Sequence, residues 1–598
     1  MNPASDAGIF TERLLNEGGA QATDLLQYLC SIQQHYSCIP PQAVETLARV
    51  LALTPAVVLG VIEFYSFLHR TPRGQFDILV SDSITDHMLG SRDLLQRLCD
   101  RLGVCVSQPG SDGRATVATT SCTGMCDQGP ALLINGQVVT RVDNERLDRI
   151  VALVQAGSPL EDWPQDWFSV SDNVYRRDQL LDEHSANGDS LRVLLDRGAA
   201  DLLQELDDSG LRGRGGAGFS TALKWKLCRD ASADERYVVC NADEGEPGTF
   251  KDRVLLQSWA DTVFEGMTLC AGIIGARRGF LYLRGEYRYL LDSLHTALEN
   301  RRASGLLGSA ILGEPGFDFD IDIHLGAGAY ICGEESALIE SLEGKRGIPR
   351  IRPPFPVTSG YRNRPTVVNN VETFMAAVRI AEHGSAWFRS KGTAQSPGTK
   401  LLSISGDCRD RGVYEYPLGV SIEEVLSDCG ADDVQAVQVA GAAGRTLPPA
   451  EFGRTLAFED VATGGSFMVF DHTRDVLDVV LNFTRFFAHE SCGFCTPCRV
   501  GGSLLRDLVE KLHDGHGSEY DIREMRDIAG LMQAASHCGL GHTAPAPVLD
   551  LLDHFPDVWR QRLAAGGFEP SFDIDAALSE AKQLTGRDHS GGRMGGDV

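Results

Sequence analysis

The chain has 598 residues, room for about four domains of ordinary size, and its 43% hydrophobic and 23% charged residues exclude a disordered polymer. Its formal net charge of −27 excludes a broad nucleic-acid or anionic-membrane surface. The first ten residues lack a basic segment and an apolar core, and the longest apolar stretch, Met267 to Ala276, is too short to span a bilayer. A cytoplasmic chain with no nucleic-acid and no membrane partner is the expectation.

Residues 1–70 carry apolar positions three and four apart, broken at Pro40, Pro41 and Pro55, which predicts a small helical bundle. Residues 71–156 follow with strands near Phe76–Val80, Ala115–Ala118 and Ala131–Ile134 and a helix at Asp93–Leu102, a small α/β domain. Residues 157–190, with Asp, Ser and Asn scattered around Trp163-Pro, read as a linker. In 191–395, strands at Tyr237–Cys240, Gly279–Leu283 and Phe319–His324 alternate with helices, so a Rossmann-like open α/β sheet with ligand loops at strand ends is expected. Residues 396–474 place short strands around one helix at Ile422–Asp428 and resemble a β-grasp (SLBB-like) module. Helical periodicity returns in 475–565, a terminal bundle, and 566–598 is a tail whose Gly-rich end, Thr585 to Val598, reads as disordered. The fold class is α/β multidomain. Cys30, Cys99, Cys228, Cys270 and Cys332 lie among apolar neighbours and read as small core residues.

Four other cysteines carry chemistry. Cys492, Cys495 and Cys498 stand two residues apart in Glu-Ser-Cys-Gly-Phe-Cys-Thr-Pro-Cys-Arg, and Cys538 follows at a distance. A tight triplet with a remote fourth thiolate suits a [4Fe–4S] cluster, whereas structural zinc sites bring their cysteines as two separated pairs. A non-enzymatic zinc and nucleotide-binding module is the rival reading.

Glycines mark the other candidate sites. Gly213, Gly215, Gly216 and Gly218 precede a helix-like segment, where free backbone amides can cradle an anion and Arg214 and Lys224 add charge for a phosphate. A turn that needs glycine only for its backbone is the bland alternative. Asn241, Asp243, Glu244 and Glu246 cluster at a strand exit; they suit a metal, ribose hydroxyls, a nicotinamide amide or a merely solvated acidic loop. Tyr330, Gly333, Glu334 and Glu335 form a second glycine-rich exit into a helix, Arg352-Pro-Pro-Phe-Pro stiffens the chain around Phe355, and Asn369 and Asn370 offer paired amides.

Taken together, Arg-Gly-Arg-Gly-Gly-Ala-Gly-Phe, Asn-Ala-Asp-Glu-Gly-Glu-Pro-Gly, Gly-Ala-Gly-Ala-Tyr-Ile-Cys-Gly-Glu-Glu-Ser, Asn-Asn-Val-Glu-Thr and the cysteine run resemble the NADH-oxidising flavoprotein subunit of respiratory complex I and its soluble relatives, over about residues 200–565. The resemblance implies FMN held by Gly213 to Gly218, Lys224, Asn241, Asp243, Tyr330, Gly333, Glu334, Asn369 and Asn370. It implies NAD(H) over the flavin near Phe219, Glu246, Glu335 and Phe355. The N-terminal part resembles the thioredoxin-like [2Fe–2S] subunit that accompanies this flavoprotein, here fused to it. One of its cysteine pairs is present as Cys122 and Cys126, but Ser81 and Asp86 stand where the other is expected. Two thiolates cannot supply four ligands, so no [2Fe–2S] cluster is expected. Fusion with a degenerate pair resembles the diaphorase subunit of cytoplasmic NAD-reducing [NiFe] hydrogenases, which implies a ferredoxin-like small subunit and a hydrogenase pair as partners. The flavoprotein of an NAD-dependent formate dehydrogenase or of complex I is the alternative.

Overall fold

A computed structural model describes residues 3–181, 188–564 and 574–586. Four helices open the chain, Pro3–Gly18, Leu25–Tyr36, Pro41–Val50 and Pro55–Ile62. Helices Pro41–Val50 and Pro55–Ile62, like Pro3–Gly18, start on a proline, whose missing N–H is one of the unpaired donors of a first turn and whose φ is already helical.

Strands β1 (Phe76–Ser81), β2 (Ala115–Thr120), β3 (Leu132–Ile134) and β4 (Gln137–Val139) form one sheet in the order β2-β1-β3-β4, with β1 and β2 parallel and the rest antiparallel. Helices Ser91–Leu102 and Asn144–Ala156 accompany it. The segment expected to be a linker is not a free connection where it is described. Trp163 and Trp167 are buried in the core of this sheet beside Phe76, and β5 (Val174–Arg176) adds an edge strand to a different sheet. Polar neighbours hid them, because two indoles can anchor a segment whose other residues face water.

A wholly parallel sheet follows, β6 (Tyr237–Ala242), β7 (Arg278–Leu283), β8 (Asp320–Leu325) and β9 (Thr366–Asn370), ordered β8-β7-β6-β9. Helices Ala260–Ile274 and Val371–His383 are buried almost throughout, so Met267 to Ala276 is core. Among the described residues no helix is long and apolar enough to cross a membrane.

The third sheet has six strands: β5, β10 (Thr399–Gly406), β11 (Gly412–Pro417), β12 (Val434–Val439), β13 (Arg445–Leu447) and β14 (Ser466–Asp471), ordered β13-β12-β14-β10-β11-β5. Helices Val476–Glu490, Thr496–His513, Glu519–Ala535 and Ala546–His554 complete the body. One apolar core runs from Leu25 and Ile62 in the first helices through Ile331 to Phe486 and Met532 in the last. Of the segment expected to be disordered, Thr585 to Val598, residues 587–598 lie outside the described residues; of the rest of the tail, 566–573 lie outside them as well and Ile574–Thr585 is a helix.

Candidate functional site

The parallel sheet decides where a ligand can sit. From β6 the chain winds to β7 and β8 on one side and then returns to β9 on the other, so the loops leaving β6 and β9 diverge and open a crevice at their carboxyl ends. A cavity of about 490 Å³ lies there. Asn241 at the end of β6 and Asp243, Glu244 and Glu246 just after it line the cavity, with Asn370 at the end of β9. Gly215 and Gly216 enter from the glycine loop, and Tyr330, Gly333 and Glu334 from the turn after β8. Ala440, Ala443 and Gly464 come from the six-stranded sheet and Leu540 and Thr543 from the helical end.

The walls leave room where glycines stand and offer polar groups to an occupant. A side chain at Gly215 would press on Asn370 at 3.1 Å, and one at Gly245 on the Tyr330 ring at 3.1 Å. Gly216 holds φ at 120°, open to glycine alone. Asp243 Oδ2 is buried on the cavity wall without a partner, which costs free energy unless a ligand donor meets it. Burial drives its carboxyl well above the usual range. Glu246 Oε2 accepts from Tyr330 Oη at 2.5 Å and Oε1 from Ala443 N at 2.9 Å, and burial raises its pKa to about 7. Lys251 is fully buried; burial alone would lower its pKa, but Asp252 at 2.6 Å and Glu372 at 2.9 Å outweigh that and keep it charged.

The four cysteines meet beside this cavity. Cys495 caps helix Thr496–His513, Cys498 lies in its first turn, Cys492 precedes them, and Cys538 caps the short helix Gly539–Thr543. All four line one small apolar chamber with Ile331, Pro349, Phe494 and Leu540. Burial raises the thiols of Cys492 and Cys498, and that of Cys538 to about 11, so a metal charge among them is what would make them thiolates at neutral pH. Four cysteines around one shared space suit a polynuclear cluster. Ile331 and Leu540 line both chamber and cavity, so one layer of side chains separates them.

The chain is 43% identical to the NAD-reducing hydrogenase HoxS subunit alpha of Cupriavidus necator over 583 residues, 94% of this chain and 96% of that protein. It belongs to the NAD-reducing hydrogenase alpha-subunit family. A chain in a crystal structure of an NAD+-reducing [NiFe]-hydrogenase in the H2-reduced state superposes with a TM-score of 0.88 at 42% identity, over 96% of this chain and 99% of that one. The NADP-reducing hydrogenase subunit HndC of Solidesulfovibrio fructosivorans is 40% identical over 61% of this chain and 77% of its own length. Family models match in three places: a thioredoxin-like [2Fe-2S] ferredoxin at 11–155, the Nuo51 FMN-binding domain at 206–379, and the NADH-ubiquinone oxidoreductase-F iron-sulfur binding region at 478–562. This alpha-subunit homologue thus combines a thioredoxin-like domain, an FMN-binding domain and a C-terminal helical iron–sulfur region.

Not every residue singled out from the sequence faces the cavity of this alpha-subunit homologue. Arg214 turns away: its guanidinium donates to the carbonyls of Arg212 at 3.1 Å and Pro397 at 3.0 Å, so it pins the glycine loop from behind instead of offering charge to a phosphate. Asn369 accepts from Trp225 Nε1 at 2.8 Å and is buried in the wall. Glu244 reaches the cavity, but its carboxylate accepts from the N–H groups of Asp252 and Arg253 and so caps helix Lys251–Ser258. Lys224 donates to Glu335 at 2.9 Å and to Val368 O, joining two positions expected to act on different ligands. Gly213 closes the loop by donating to Phe219 O, and Gly218 packs under Phe458. Phe219 and Phe355 stand 48% and 50% exposed. Lys251, Asp252 and the wall at Ala440, Ala443 and Gly464 were missed; a lysine within Phe-Lys-Asp-Arg carries no spacing signal, and these alanines and this glycine precede no helix that would mark them.

In the thioredoxin-like domain, Ser81, Asp86, Cys122 and Cys126 are all buried. The match to a [2Fe-2S] family tells against the expectation that no such cluster binds here. The side chains tell for it, because Asp86 Oδ2 already accepts from Ser81 Oγ at 2.6 Å and Ser83 Oγ at 3.2 Å, and Oδ1 from Ala131 N at 3.2 Å. Oxygen atoms that satisfy one another leave a cluster two thiolates and no free ligand.

Proposed function

We propose that this chain is the diaphorase subunit of an NAD-reducing [NiFe] hydrogenase. The observation that carries the reading is the wall of Ile331 and Leu540 shared by the cavity and the cysteine chamber, since two redox groups one side chain apart need no moving part between them. Bound FMN supplies the exchange between two-electron hydride transfer with nicotinamide and one-electron transfer with a [4Fe–4S] cluster.

The chain's own residues position and exclude water. Gly215, Gly216, Asn241, Asp243, Tyr330, Gly333, Glu334 and Asn370 hold the flavin, with Asp243 Oδ2 accepting from it and Lys251 supplying a cationic side chain on the cavity wall. Gly213, Arg214, Gly218 and Asn369 hold the wall. Phe219 and Phe355 at the exposed side, with Glu246 and the Lys224–Glu335 pair, position NAD(H), so no general base is named. Cys492, Cys495, Cys498 and Cys538 ligate the cluster, and the thioredoxin-like domain carries none. The parallel sheet is Rossmann-like and the six-stranded sheet a β-grasp module. The helical bundle (1–70), thioredoxin-like (71–156), FMN/NAD (191–395), β-grasp (396–474) and cluster (475–565) domains act as one cytoplasmic body. A ferredoxin-like small subunit and the hydrogenase pair supply electrons.

The test is purification from its own cells. The isolated chain should reduce artificial acceptors with NADH and fail to reduce NAD+ with H2, and H2-dependent NAD+ reduction should appear in the complex. Copurification with a formate dehydrogenase or with membrane subunits would move the chain to that context.

A further inference from the structure

The proposed function leaves the thiols of the thioredoxin-like domain without a role. Cys122 and Cys126 lie with their sulfurs 3.5 Å apart, both buried, on a loop turned by Gly124 at φ 75°. A disulfide needs about 2.05 Å, so a closure of about 1.5 Å within one short loop would join them. Gly124 N–H donates to Cys122 Sγ at 3.4 Å. That backbone donor suits Cys122 as the attacking sulfur and leaves Cys126 to resolve. A cavity of about 500 Å³ ends at Thr120 and Ser121, the residues before Cys122, and both sulfurs lie behind that wall.

The loop is wired to the flavin cavity. Arg284 Nη2 donates to Cys122 O at 2.6 Å while Nη1 donates to Glu244 O. Tyr287 packs against Gly124 and donates to Glu244 Oε2 at 2.9 Å. Glu244 lines the flavin cavity and caps the helix that begins with Lys251.

We propose that Cys122 and Cys126 are a dithiol–disulfide couple, oxidised by hydroperoxides and read out at the flavin cavity through Arg284, Tyr287 and Glu244. The Cys122 sulfur attacks a peroxide oxygen, the O–O bond breaks, and one water leaves a sulfenic acid. The Cys126 sulfur then displaces the hydroxyl as a second water and forms the S–S bond. Two thiols and one hydrogen peroxide give one disulfide and two waters. The readout, but not the couple, rests on the flavin reading above.

The test treats anaerobically purified full-length chain with graded hydrogen peroxide, then denatures, alkylates and maps peptides by mass. Cys122 and Cys126 should become cross-linked, with the loss of two hydrogens, and be alkylated only after reduction. The flavin absorbance band should shift as the cross-link forms. In Cys126→Ser the shift should vanish, Cys122 should be trapped by dimedone as the sulfenic acid, and NADH–acceptor activity without peroxide should be unchanged. Both thiols remaining alkylatable at every peroxide level that leaves the flavin bound would overturn the couple, as would about six irons per flavin before oxidation in place of the four of one cubane. A cross-link with an unmoved flavin band would overturn the readout. A cross-link in a chain that binds no flavin would leave the couple standing and remove the proposed function instead.

Discussion

The two cysteine sites of this chain start from the same chemistry and end differently. At the C-terminal end four thiols surround an apolar chamber, with Ile331 and Leu540 closing it toward the flavin cavity. In the thioredoxin-like domain two thiols share their space with Ser81, Ser83 and Asp86, whose oxygens bind one another. The difference is the number of soft ligands and whether the protein has filled the room a metal would take. An emptied site keeps ligands that cannot satisfy themselves, and a filled one has exchanged metal bonds for hydrogen bonds.

The comparison breaks most sharply at Cys495. Cys495→Ser should abolish the reduced-state EPR signal of the [4Fe–4S] cluster while flavin stays bound, and an unchanged signal would remove the chamber from its assigned role. The converse change is the double variant Ser81→Cys with Asp86→Cys. It should raise iron from about four to about six per flavin, because it restores the missing thiolates and removes the buried carboxylate that fills their place. A variant that stays at four would show that the loop geometry, and not the residue types, excludes a cluster.

A smaller effect is expected from charge alone. Burial raises Asp86 to about 6 against hydrogen bonds from Ser81, Ser83 and Ala131 that pull it down. A carboxyl whose folded pKa lies above its unfolded value binds its proton more tightly when folded. Its favourable contribution is therefore complete below the unfolded pKa near 3.8 and lost as pH rises through about 6, at a cost of about 3 kcal/mol at neutral pH. Asp86→Asn should accordingly flatten the dependence of stability on pH between 4 and 6 and make the chain more stable at pH 7, measured by denaturant unfolding. A stability curve with the same slope as the parent would mean that another group titrates there. The smallest effect belongs to the nicotinamide side. Phe355→Ala should raise the KM for NADH severalfold, the loss of about 1 kcal/mol of stacking, with iron and FMN contents unchanged. Loss of flavin at a normal KM would place Phe355 on the flavin instead.

The features that were readable along the chain are those written in local spacing. The triplet Cys492, Cys495 and Cys498, the glycine loop before helix Thr221–Asp230, and the acidic exit of β6 each need only a dozen neighbouring residues to declare themselves. What stayed hidden depends on distance through space. Arg214 looks like a phosphate ligand until Pro397, 183 positions away, is seen to accept its guanidinium. Ala440, Ala443 and Gly464 become cavity wall only because the six-stranded sheet folds back over the parallel one. Asp86 and Ser81 are visible as missing cysteines, but that they hydrogen-bond to each other is a fact of packing. Trp163 and Trp167 sit in a polar stretch that only their burial explains.

The cavity that holds these residues is also a fastener. Its lining comes from segments around 215, 241, 330, 370, 440 and 540, so the walls meet only when the parallel sheet, the six-stranded sheet and the helical end have come together. A ligand bound there favours the assembled state over every partly opened one, by about 2.7 kcal/mol at a hundredfold excess over Kd. Flavin occupancy then reports more than redox competence. Cells starved of riboflavin should accumulate chain that is cut first at the junctions between sheets, because the same vacant crevice loosens three regions at once.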